Sequence, residues 1–213
     1  MATDPTRIKT IHDELQRRFP STHTFLNYET DWQLLFAIML SAQATDKAVN
    51  TATSKLFRDF PTLDTYTEDR AEEIFRDIQT LGLGKSKTRY LIQGAKVLRE
   101  EFQGAVPKDR KAIMTIPGCA YKTSGVFLAE YYHEVLIPVD THVQRVAIRL
   151  GLVKKTSTPE ETEKRLEKLF HGYSGIDTHR QLILFGRTVC HALRPECSVC
   201  PFASFCRHLK SHS

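Results

Sequence analysis

Apolar residues recur at spacings of three and four along almost the whole chain, and that period leaves little room for anything but helices. Asp4 and Pro5 read as an N-cap and a first helical residue. Ile8, Ile11, Leu15 and Phe19 follow on one face, and Pro20 stops the helix. Thr30 and Gln33 have the spacing of a capping box ahead of the apolar run Leu34–Leu40. Thr45 is expected to cap a helix reaching Phe60, Thr67 one reaching Gln79, and Ser86 one reaching Phe102. A short helix from Asp109 meets Pro117 and Gly118, and another runs from Tyr121 to Tyr132. Asp140 or Thr141 opens the next, which Gly151 ends. Thr158, Pro159 and Glu161 supply cap, first and third positions of a helix to Phe170, and the last helix spans Asp177 to Cys190. The single strand-like run, Val135–Val139, is interrupted by Pro138. The expected fold is all-α, with about ten helices.

A length of 213 residues suits one large domain or two small ones. With 41% hydrophobic and 26% charged residues, a wholly disordered chain is excluded. The longest apolar run has seven residues, far from the ~18–20 that cross a bilayer. The first ten residues hold no apolar stretch, so no secretory signal is expected, and the chain reads as soluble and intracellular. Between Gly84 and Lys122 nine basic residues face three acidic ones, in a chain whose net charge is +5. A basic surface of this kind suits a phosphate backbone, and a solvated helix face accounts for it equally well. Gly84-Lys85-Ser86 ends like a phosphate-binding loop, but Gln79 stands where the motif needs glycine and no strand precedes it. Nucleoside triphosphate binding is therefore excluded.

Four of the five cysteines, Cys190, Cys197, Cys200 and Cys206, are spaced C-x6-C-x2-C-x5-C. Disulfides do not persist in a reducing compartment. Four thiolates on one short loop can instead enclose one metal centre. Tetrahedral zinc commonly uses two close pairs set far apart, whereas here only Cys197 and Cys200 form a close pair. The spacing favours a cubane 4Fe–4S cluster with one cysteine on each iron, and zinc stays open beside it. Cys119 stands apart and reads as a small packing residue.

This cysteine spacing, the segment Leu40–Asp46 (LSAQATD), Ile116–Thr123 (IPGCAYKT) and Val139–His142 (VDTH) occur in the order found in one family. Together they resemble endonuclease III, the DNA glycosylases and abasic-site lyases of the helix-hairpin-helix superfamily. The resemblance runs from about Leu15 to Cys206. It implies two helical lobes with a cleft between them: a barrel over residues 21–136 that carries the hairpin, and residues 1–20 plus 137–213 that carry the cluster. It also implies base-excision repair of oxidised pyrimidines in duplex DNA, by a monomer that is cytoplasmic and, in a bacterium, nucleoid-associated.

The resemblance assigns roles residue by residue. Lys122 is the nucleophile that forms a Schiff base with the sugar, so it must present a neutral amine. Free lysine titrates near ~10.4, and a helix N-terminus, nearby cations and partial desolvation all favour the neutral form. Asp140 is the catalytic carboxylate, with N-cap of the following helix as its structural role. Gly118 lets the hairpin approach a phosphate, and Ala120 stands where the family usually has a second glycine; a positive φ there would cost alanine about 1 kcal/mol. Tyr121 replaces a residue that is often basic. Gln43 fills the gap left by the flipped nucleotide, and Leu83 is the apolar wedge on the other strand. Read without the family, Gln43 caps a turn and Leu83 packs inside. Asp46 and His142 border the base pocket. His191 and Arg194 offer phosphate contacts in the cysteine loop, where Glu196 is an unhelpful acid. Two other readings remain at this point: a weakly active or inactive paralogue that binds damaged DNA, and a zinc-stabilised DNA-binding module. A mismatch-specific glycosylase is disfavoured by Lys122.

Overall fold

The computed structural model describes residues 4–20 and 22–210. Among them the chain forms α-helices joined by turns, and no strand. No helix among the described residues is long and apolar enough to cross a membrane. The chain divides into two units, Met1–His23 with His133–Ser213, and Thr24–Tyr132. The expected domain boundary at Ser21 lies outside the described residues. The discontinuous unit holds α1 (Pro5–Arg18), α8 (Thr141–Arg149), α9 (Pro159–Leu169), α10 (Gly175–Thr188) and the short α11 (Arg207–Lys210). The continuous unit holds α2 (Asp31–Leu40), α3 (Asp46–Asp59), α4 (Ala71–Ile78), α5 (Gly84–Phe102), α6 (Arg110–Thr115) and α7 (Tyr121–Tyr131).

Side-chain caps start most of these helices where the sequence places them. The Asp4 carboxylate accepts from the Thr6 N–H, and Thr30 and Thr158 each form a complete capping box with Gln33 and Glu161. Thr45, Asp109 and Asp140 cap α3, α6 and α8. Three expected starts are corrected. Thr67 makes no cap bond; the chain first makes a 3-10 turn over Glu68–Arg70, and α4 begins at Ala71. α5 begins at Gly84 rather than after Ser86, because Leu83 turns the chain in the left-handed region at φ 65°. α10 begins at Gly175, capped by Ser174, and ends at Thr188.

In the continuous unit α2 is the central element. Every residue from Trp32 to Leu40 is buried, which fits a helix apolar on all sides. It packs on α3, α5 and α7. Trp32, Phe36, Phe60 and Tyr66 meet mainly edge to face, with ring centroids 5.3–5.8 Å apart, within the favourable range for aromatic pairs. The Asp31 carboxylate accepts from the Val106 N–H at 2.7 Å and so ties the turn after α5 to the start of α2.

In the discontinuous unit α10 packs against α8 and α1. Buried Gln181 donates to the Gln16 side chain at 2.8 Å and to the Phe19 carbonyl at 3.1 Å. The segment leading into α8 lies directly on α10. Buried His179 donates from Nδ1 to the Pro138 carbonyl at 2.7 Å. A Cβ on Gly175 would lie 2.6 Å from the Leu136 carbonyl oxygen, so only glycine admits this approach. These two contacts place the backbone that ends in Asp140.

Candidate nucleic-acid interface

Three loops of the continuous unit meet at the first turns of α5. The first is Ser41–Thr45, where Gln43 is exposed and adopts φ 56°. The second is Gly82–Leu83, with Leu83 at φ 65° and 56% exposed. Leu83 therefore does not pack inside. Gly82 faces the Gln43 carbonyl, which would lie 3.7 Å from a Cβ built there. The third is the hairpin turn between α6 and α7. Gly118 takes φ 89°, and a Cβ on it would lie 2.7 Å from Met39 Cε and 3.0 Å from the Tyr90 side chain. Ala42, Leu83, Lys87, Tyr90 and Gly118 line a common pocket of about 100 Å³.

Gly118 is thus constrained twice, by its left-handed backbone and by the side chains above it. Gly118→Ala is expected to destabilise the chain by about 2–4 kcal/mol, the sum of backbone strain and overpacking. Thermal denaturation checks this, at roughly 2–4 °C per kcal/mol for a chain of this size.

Ala120, two residues on, has φ −95° and ψ −179°, ordinary extended backbone. The strain that a positive φ would impose there is absent, and alanine sits at this position without cost. No side chain caps the start of α7, a feature it shares with α4 and α5. Its first N–H groups and the positive end of its dipole are the elements of an anion site. Lys122 is exposed at the second residue of α7. The Arg110 guanidinium stacks 4.3 Å from the Tyr121 ring centroid, so a cation sits at the hairpin although residue 121 is not basic. Cys119 is buried, and burial pushes its thiol up to about 12, which suits packing and not nucleophilic chemistry.

Lys87 corrects the reading of the basic stretch. Sequence counts it among the surface cations, yet it is only 4% exposed. Its Nζ donates to the Ala42 carbonyl at 2.7 Å. Burial pushes its amine below the usual lysine range.

The discontinuous unit carries the other expected residues. Half-buried Asp140 accepts from the Val143 N–H through Oδ1 at 2.8 Å, as N-cap of α8. One turn on, the Arg145 guanidinium lies 3.1 Å from His142 Nδ1 and donates to the Cys190 carbonyl at 3.0 Å and the Gly186 carbonyl at 2.9 Å. Arg149, a further turn along, donates to the His191 carbonyl at 2.6 Å, the Ala192 carbonyl at 2.9 Å and Cys190 Sγ at 3.3 Å. Two arginines at helical spacing thereby fasten the cysteine loop to α8, a role that sequence reading did not assign. Their i, i+4 spacing on a short helix was the available signal.

Cys190, Cys197, Cys200 and Cys206 are free thiols, Cys206 buried and the others half-buried. Burial, with the neighbouring Cys190, Cys206 and Cys197 adding, pushes the Cys200 thiol up, while the Phe202 backbone works against it. Cys200 therefore lies within electrostatic reach of each of the other three thiols. Among the described residues no group of three or more His, Cys, Asp or Glu is arranged to hold a metal ion. In the same loop Arg194 is exposed, and Glu196 Oε1 lies 3.8 Å from His191 Nε2, so the acid has a local partner. Asp46 is half-buried at the first residue of α3.

The family model described as "HhH-GPD superfamily base excision DNA repair protein" matches residues 36–171, and the chain belongs to that superfamily. Within it, the chain is similar to endonuclease III. That of Rickettsia felis is 37% identical over 204 residues, covering 96% of this chain and 95% of the relative. That of Escherichia coli is 36% identical, covering 93% of each. A solved structure of a trapped endonuclease III–DNA covalent intermediate aligns with a TM-score of 0.92 at 35% identity, covering 99% of both chains.

Proposed function

We propose that this chain is a DNA N-glycosylase with abasic-site lyase activity on oxidised pyrimidines in duplex DNA, with Lys122 as nucleophile. The observation that carries this reading is an exposed lysine at the second residue of the helix that follows the left-handed Gly118 turn, in a chain of the HhH-GPD superfamily. The hairpin backbone at Gly118–Lys122 takes phosphate oxygens, fixing register without reading sequence. Gln43 and Leu83 enter the duplex as the damaged nucleotide rotates out.

The Lys122 amine then attacks C1′ of the deoxyribose. The C1′–N bond breaks, and the base leaves with the electron pair and takes a proton. Ring opening gives an iminium between Nζ and C1′. Loss of a C2′ proton expels the 3′ phosphate, and water finally releases the amine. Asp140 carries the negative charge that stabilises the cationic sugar and assists proton transfer.

We further propose that Cys190, Cys197, Cys200 and Cys206 hold a 4Fe–4S cluster. The donor set fits: four free thiols on one loop, three of them acting electrostatically on Cys200, with Arg149 donating to Cys190 Sγ. In a cubane each thiolate binds its own iron, so the four need not converge on a single point as zinc ligands do. The cluster would organise the loop that presents His191 and Arg194 to DNA. The purified chain is expected to contain iron and acid-labile sulfide in equal amounts, and Cys200→Ser to lose both; stoichiometric zinc in their place overturns this assignment.

The activity is tested on a duplex with a single thymine glycol. The expected product is strand cleavage at the lesion with an unsaturated aldehyde at the 3′ end. An intact strand that keeps its lesion overturns the reading. Excision leaving an uncleaved abasic site points instead to a glycosylase without lyase chemistry.

A further inference from the structure

A buried ammonium is costly unless its hydrogen bonds are made, and α5 has no packing need for one at residue 87. The rest of its buried face is largely apolar, with Leu91, Ala95 and Leu98 in register. An unbranched apolar side chain would fill the same space. What only the ammonium supplies is the 2.7 Å hydrogen bond to the Ala42 carbonyl. Ala42 immediately precedes Gln43, whose φ of 56° is a conformation that costs a non-glycine residue about 1–2 kcal/mol. Such a residue persists only where its surroundings impose it. Here two restraints act on either side of it: Lys87 holds the carbonyl before Gln43, and Gly82 lies against its own carbonyl. Leu83, one turn before Lys87 on the same helix end, is also left-handed and exposed.

We propose that Lys87 is a positioning residue that holds the Gln43 loop against the start of α5. It sets, before DNA arrives, the spacing between the two side chains that enter the duplex, Gln43 and Leu83. The inference rests on the glycosylase reading above. It predicts that Lys87 matters where a stacked nucleotide must be displaced and not where the sugar is already accessible.

The test compares wild type, Lys87→Met, Gln43→Ala and the double variant on two substrates. One is a duplex with thymine glycol, read by single-turnover excision. The other is a preformed abasic site in single-stranded DNA, read by borohydride trapping. Lys87→Met is expected to slow duplex excision at least tenfold and to leave single-strand trapping within twofold of wild type. Because Lys87 acts through Gln43, adding Lys87→Met to Gln43→Ala is expected to cost less than a further twofold. Wild-type excision by Lys87→Met, equal losses on both substrates, or effects that multiply in the double variant each overturn the proposal. Should Lys87→Met fail to fold, Lys87→Gln, a shorter donor, takes its place. It is expected to lose threefold or more on duplex alone, and equal losses on the two substrates again count against the role. A wild-type chain inactive on both substrates overturns the glycosylase reading and this inference together, so the wild-type arm separates the two failures.

Discussion

Lys122→Ala is expected to abolish strand cleavage at thymine glycol and at abasic sites, by at least a thousandfold, or about 4 kcal/mol of barrier. Covalent trapping by borohydride should vanish with it, since hydride fixes the protein to DNA only through an iminium and the proposed iminium is on this amine. The alternative is that Lys122 is a phosphate contact at an exposed helix start, where a cation is a common surface feature. Lys122→Arg separates the two. Arginine keeps the charge and binds phosphate as well or better, but its guanidinium cannot lose a proton to become a nucleophile. A nucleophilic lysine therefore predicts that the arginine variant binds abasic DNA within a few-fold of wild type and neither cleaves nor traps it. A phosphate contact predicts that arginine restores cleavage. Retained trapping in either variant would move the covalent chemistry to another amine.

The helices were legible wherever a cap and a stop are written locally. Asp4-Pro5, Thr30 with Gln33, and Thr158-Pro159 with Glu161 all start helices as read. At two of the corrected starts a glycine sits against a neighbour outside its own helix. Ser86 looks like the better cap, but α5 begins two residues earlier at Gly84, where a Cβ would meet the Phe75 ring at 2.8 Å. The glycine is explained by a neighbour 9 positions away in sequence and not by any local signal. Similarly, the approach of Gly175 to the Leu136 backbone sets the start of α10.

The candidate site divides in the same way. The four cysteines stand out by their spacing, whereas the hairpin glycine is picked out by the family resemblance of its segment. The conformations of Gln43 and Leu83 cannot be read from spacing, because their left-handed backbone and exposure are products of the fold. Lys87 was hidden by its charge. Its register with Leu91, Ala95 and Leu98 places it on the apolar face of α5, and that register outweighs the habit of assigning lysine to the surface.

Asp140→Asn is the second large effect, and it isolates a charge from a cap. Asp140 accepts from the Val143 N–H with one oxygen. Asparagine presents the same carbonyl oxygen and caps helices as well as aspartate does. Unfolding free energy should therefore change by no more than about 0.5 kcal/mol, chiefly through the lost interaction with the α8 dipole. Excision and cleavage should nonetheless fall roughly 100- to 1000-fold, because no anion remains to stabilise the cationic sugar. Asp140→Ala removes cap and charge together, so it should add a stability loss of about 1 kcal/mol to a similar loss of activity. Denaturant unfolding and single-turnover kinetics on the same three proteins decide the matter. If asparagine keeps wild-type rates, Asp140 serves α8 alone and the carboxylate of the reaction lies elsewhere; if both variants lose activity only in proportion to stability, the fold and not the charge is what the reaction lacked.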